Sequence, residues 1–113
     1  MTAGILEAVD RVLNRGGDAD DVLRQVLAIL HERGGAAWAG IAFVEEDELQ
    51  LGPTVGGPPP AEPERRAIEF GGARVAELRT TPGADAALLD RLAVVISPYC
   101  LVGWDTGGEA WVP

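Results

Sequence analysis

Residues 36–55, AAWAGIAFVEEDELQLGPTV, decide how this chain is read. Ala36 to Val44 is an uncharged, largely apolar run, and Leu49 to Val55 is a second apolar run. Between them stand Glu45, Glu46, Asp47 and Glu48. Two extended arms joined by acids read as an antiparallel hairpin with a solvated turn. In the first arm Ile41 and Phe43 project to one side, and Trp38, Ala42 and Val44 to the other. Both sets are apolar, so this is expected to be a central strand covered on both faces. In the second arm Leu49 and Leu51 alternate with Gln50 and Gly52, which predicts burial on one face only.

Upstream, the period is helical. Ile5, Leu6, Val9, Val12 and Leu13 form one stripe of a helix over residues 3–14, stopped by Gly16-Gly17. A second helix is predicted from Ala19 to Arg33. Asp18 is its N-cap, Asp20 and Asp21 complement the dipole in the first turn, and Gly34-Gly35 ends it. Val22, Leu23, Val26, Leu27 and Leu30 make its buried face.

Downstream, Gly56 to Pro63 (GGPPPAEP) interrupts the sheet, because proline cannot donate to a ladder. Arg65 to Phe70 and Ala73 to Thr80 then read as a second hairpin turning at Gly71-Gly72. A last helix starts between Thr81 and Asp85 and runs to Ser97, with Leu88, Leu89, Leu92, Val95 and Ile96 inward and Pro98 ending or kinking it. Asp105 to Gly108 suggests a turn between two short apolar arms of the tail. The division is therefore helices over 3–33, hairpins over 36–55 and 65–80, a helix over 82–97, and a tryptophan-containing tail over 98–113. The fold class is α+β, a small antiparallel sheet with the N-terminal and C-terminal helices packed on one face.

The 113 residues fit one domain, since domains average roughly 150 residues. Hydrophobic residues make up 47%, enough for a packed core. The 18 acids outnumber 9 bases, all arginine, for a net charge of -9. Such a chain repels phosphate backbones and anionic lipid, which excludes nucleic-acid and membrane-surface partners. The longest apolar run, residues 36–44, is far short of the ~20 residues that span a bilayer. The opening MTAGILE lacks a basic region followed by an apolar stretch, so no signal peptide is expected. One cysteine cannot make an internal disulfide, and a reduced, cytoplasmic setting follows.

No complete catalytic motif is present. Cys100 has no neighbouring base or cation to activate it, and reads as a small buried apolar residue. His31, the only histidine, lies in the last turn of its helix with no metal-ligand partners and reads as a surface or capping residue. The acids at 45–48 lack the spacing of a calcium loop, and the glycine pairs form no phosphate-binding motif. No metal or cofactor is expected. Arg65-Arg66 could grip a carboxylate or phosphate, or balance Glu62, Glu64 and Glu69 along a strand edge.

Residues 26–56, VLAILHERGGAAWAGIAFVEEDELQLGPTVG, and residues 65–96, RRAIEFGGARVAELRTTPGADAALLDRLAVVI, together with the order helix, helix, hairpin, hairpin, helix, resemble a GAF domain. The acidic turn followed by L-x-L-G-P looks most like the branch containing free methionine-(R)-sulfoxide reductases. The resemblance implies a signalling or regulatory fold. In that family a long insertion between the hairpins roofs the ligand pocket and, in the reductases, carries the reactive cysteines. Here only the proline-rich loop joins the hairpins, so the resemblance implies no enzyme. It implies instead a regulatory or interaction module, pairing as a homodimer or with another protein through Ile5, Leu6, Val9, Val12 and Leu13. The alternative is a small-molecule sensor with a reduced pocket built from Trp38, Phe43, Trp104 and Trp111. The sheet face bearing Trp38 would be covered by the tail, by a second subunit or by a ligand.

Overall fold

The computed structural model describes residues 2–46 and 48–100. Its elements are α1 (Thr2–Arg15), α2 (Ala19–Arg33), β1 (Trp38–Glu45), β2 (Glu48–Gly56), β3 (Glu64–Phe70), β4 (Ala73–Thr80) and α3 (Ala86–Val95). The four strands form one antiparallel sheet in the order β2-β1-β4-β3. The two hairpins thus lie side by side, β1 against β4, and β1 is central as its two apolar faces predict.

Local chemistry accounts for the boundaries. Asp18 is extended, and its carboxylate accepts the N–H of Asp20 at 3.2 Å, so α2 starts where an orphan donor is satisfied. At the other end the N–H of Gly34 donates to Leu30, and Gly35 (φ +82°) turns the chain toward β1. The β3–β4 turn is Gly71-Gly72, both at positive φ. The last helix begins later than residue 82, because Gly83 (φ +101°) bends the chain and Asp85 is the cap, accepting from Leu88 N–H. It stops at Val95, and residues 97–100 make a further helical turn after Ile96.

All three helices lie on one face of the sheet. Ile5, Val9 and Val12 of α1, the α2 stripe, and Leu88, Leu89 and Leu92 of α3 share one core with Ala39, Ile41, Ile68, Ala76 and Leu78. Tyr99 ties the end of the described chain to α1 by donating to the Leu13 carbonyl at 3.4 Å.

The second strand departs from its expected pattern. Leu51 is 52% exposed and Leu49 half-buried, while Pro53 is buried. Leu49 and Leu51 oppose Val44 and Ala42, on the face turned away from the helices. At an edge strand that face has few neighbours. The β1–β2 ladder also slips between Gly40 and Ala42, where Gly52 and Pro53 together stand against Ile41.

Candidate functional site

The face of the sheet turned away from the helices is built from all four strands. The register places Trp38, Gly40 and Ala42 of β1 here, with Thr54 of β2, Glu77 and Arg79 of β4, and Arg65, Ala67 and Glu69 of β3. Trp38 is only 4% exposed. Its ring lies along Gly40: a β-carbon there would stand 3.1 Å from Trp38 Cζ2 and Cη2 and 3.0 Å from Thr54 Cγ2. A side chain at residue 40 would have to push the indole or Thr54 aside by a few tenths of an ångström.

Glu77 is the charged centre of this face and is 7% exposed. The Arg79 Nε–H donates to its Oε1 at 2.7 Å. Arg65 stands 3.7 Å from the same oxygen, and Arg74 3.9 Å from Oε2. A β-bulge makes this cluster possible. Ile68 opposes Ala76 while Glu69 opposes Arg74, so Val75 is an extra residue in β4. Arg74 and Glu77, three positions apart, then come to the same face. A carboxylate this buried needs partners, and the arginines supply them. The guanidinium side chains of Arg65 and Arg74 remain 57% and 50% exposed, a cationic rim within an acidic protein. Such forks can take a carboxylate in bidentate fashion.

Arg66, next to Arg65, points to the opposite face. Its Nε–H donates to Asp90 of α3 at 2.7 Å and its Nη1–H to Glu64 at 2.9 Å. Donating to the Glu64 carboxylate first, and then to that of Asp90, raises its already high pKa. The pair fixes α3 beside β3. An open groove of about 280 Å³ runs between them, lined by Ala67, Glu69, Ala93, Val94 and Ser97 as well as this ion pair. Val94 is 65% exposed.

The expected ligand residues are not brought together. Trp38 lies on the face away from the helices, whereas Phe43 lies on the helix face, packed against the core. One pocket cannot take both, because the sheet separates them. Trp104 and Trp111, and the turn at 105–108, lie outside the described residues. The expected interface stripe is largely used within the chain: Ile5, Val9 and Val12 are buried in the core, and Leu6 and Leu13 are half-buried against it.

The lone histidine caps a loop, its Nδ1–H donating to the Ala36 carbonyl at 2.7 Å. Cys100 is fully buried, and burial pushes its thiol pKa up to about 12. A protonated, enclosed thiol is no nucleophile. Asp18, Asp20 and Asp21 lie within 4.8 Å of one another at the start of α2, exposed. Asp18 is occupied as the cap, and Asp20 pairs with Arg24 at 2.7 Å. Among the described residues, no helix is long and apolar enough to cross a membrane.

Sequence reasoning singled out Arg65 and Arg66 but missed Glu77, Arg74 and Arg79. The usable signal was the charge pattern of the second hairpin. No protein-family model, curated protein or solved structure matches the chain.

Proposed function

We propose that this chain is a non-catalytic regulatory or interaction module of GAF-like architecture that works as a homodimer. The observation that carries the non-catalytic part is the state of Cys100. The one thiol is enclosed, and desolvation holds it protonated far above neutral pH. Thiol chemistry of the kind found in the resembled reductases would need an exposed thiolate. The order α-α-β-β-β-β-α, with the hairpins joined directly by residues 57–63, supports the GAF-like reading.

Exposed apolar side chains support the dimer. Among the described residues, Phe70 on β3 and Val94, which lines the groove beside it, are large, hydrophobic and exposed. Paired surfaces bury such groups. Light scattering across a concentration series tests the reading. A mass that rises to twice that of the chain is expected, and a monomer at every concentration overturns the homodimer. Turnover of free methionine sulfoxide with a thiol reductant would overturn the non-catalytic part.

A further inference from the structure

The two edges of the sheet are built differently. β2 carries Pro53, which has no N–H to offer a neighbouring strand, and it contains the bulge at Gly52-Pro53. Both devices deter further pairing at an edge. β3 has neither. Its seven residues, ERRAIEF, include no proline or glycine, and the bulge in its ladder belongs to β4. Among the described residues β3 has a strand on one side only, so it presents a regular row of backbone donors and acceptors outward.

We propose that two copies of this chain join β3 to β3, antiparallel and centred on Ala67, so that their sheets continue as one across a two-fold axis. The proposal rests on the homodimer reading and names its surface. The sequence of β3 is self-complementary in this register. Ala67, small and exposed, meets Ala67 at the axis, and Arg65 meets Glu69 of the second copy twice. Glu64 meets Phe70, and Arg66 meets Ile68. Centring on Ile68 opposes no like charges but sets Ala67 against Glu69 and Arg66 against Phe70, so it makes no Arg–Glu pair, and the remaining registers are worse. Centring on Arg66 sets Arg66 against Arg66, centring on Arg65 sets Arg65 against Arg65, and a parallel in-register pairing opposes every like charge.

Strain in the single chain points the same way. Arg65 faces Arg79 directly across the β3–β4 ladder, and like charges there repel. Glu77 relieves this for Arg79 at 2.7 Å but stands 3.7 Å from Arg65. Glu69 of a second copy would reach Arg65 from its open side. Across the join the row then reads Arg79, Arg65, Glu69, Arg74, with opposite charges meeting at the interface. Beside it, the two-fold axis brings the second α3 toward the first, and Val94 at the groove loses its exposure to water.

Charge exchange tests this. Arg65→Glu and Glu69→Arg are each made alone, then mixed, and then combined in one chain. Arg65 also partners Glu77 and Glu69 faces Arg74, so circular dichroism and a thermal melt of each single variant establish that it is folded before its self-association is read. Each alone opposes like charges at both contacts and should weaken self-association by about tenfold or more. Mixing the two single variants should restore the dimer as a heterodimer, and the doubly exchanged chain should dimerise again. A wild-type chain that stays monomeric, its edge taking an unrelated peptide strand or nothing, overturns both this proposal and the homodimer reading. A wild-type dimer that survives either single exchange, or single variants that fail to pair on mixing, overturns the β3 interface and leaves the homodimer reading standing. Should one single variant misfold, the other still decides, since it too opposes like charges at both contacts and the doubly exchanged chain removes that opposition.

Discussion

The ring of Phe43 lies directly over Gly52, so that a β-carbon at position 52 would overlap Cε2, stand 2.8 Å from Cδ2 and approach the Ile41 carbonyl at 3.2 Å. Glycine here makes room at a bulge for an aromatic ring of the central strand. Gly52→Ala is expected to displace the ring and destabilise the chain by about 1–3 kcal/mol in urea unfolding. Combining it with Phe43→Leu should recover part of that loss, because the clash is shared between the two positions. Gly71→Ala makes a control of opposite cause. Nothing lies within 4 Å of a β-carbon there, but φ is +64°, so its cost should be backbone strain of about 1 kcal/mol, with no dependence on Phe43.

Glu77→Gln keeps the shape at the centre of the arginine cluster and removes its charge. Three guanidinium groups would then face one another without a compensating carboxylate. With two of them about half exposed, water screens much of the repulsion, and a loss of about 1–2 kcal/mol is expected. Urea titrations at low and high salt check the cause. The deficit should shrink as salt rises, whereas a packing defect would leave it unchanged.

The contrast between these two sites shows what the sequence carries. Both hairpins, both glycine-ended helices and the Asp18 cap were legible because each depends on neighbours in the chain. The Glu77 cluster was not, and the reason is one residue. A regular hairpin turning at Gly71-Gly72 pairs Phe70 with Ala73 and Glu69 with Arg74, as observed, and would go on to set Arg66 against Glu77. The bulge at Val75 instead sets Ala67 against Glu77 and Arg65 against Arg79. A shift of one residue exchanges the faces of a strand, so the arginine expected beside Glu77 turned toward α3, and its neighbour took its place. The exposure of Leu51 was hidden for a related reason. Alternation showed which residues share a face of β2, but not that the face points away from the helices. Trp38 and Phe43 are alike in type, but their odd spacing puts them on opposite sides of β1.

Asp18→Ala and Asp85→Ala should each cost about 1 kcal/mol, since each removes a side chain that accepts an otherwise orphan backbone N–H. Asn at either position should recover most of the loss, and thermal melts of the four variants check both. Asp18→Ala should also leave the Asp20–Arg24 pair in place, so its cost reports the cap and not the neighbouring ion pair.

Cys100 makes stability depend on alkaline pH with a definite sign. In the unfolded chain the thiol ionises near its ordinary value of 9.0, whereas burial in the fold holds it protonated to about 12. Above pH 9 the unfolded state therefore binds fewer protons than the folded state, and stability falls as pH rises toward 12. The fall from this group approaches about 1.4 kcal/mol per pH unit within that window and is absent below it. Other groups titrate in the same range, so the measurement is a comparison. Cys100→Ala should be less stable than wild type at pH 7, because it leaves a gap in the core, yet lose less stability between pH 9 and pH 11. Equal slopes for the two chains would mean that the thiol is not held protonated by burial. Thiol labelling at pH 8 gives a second readout: Cys100 should react with an aromatic disulfide reagent only as fast as the chain opens, and at full speed in urea.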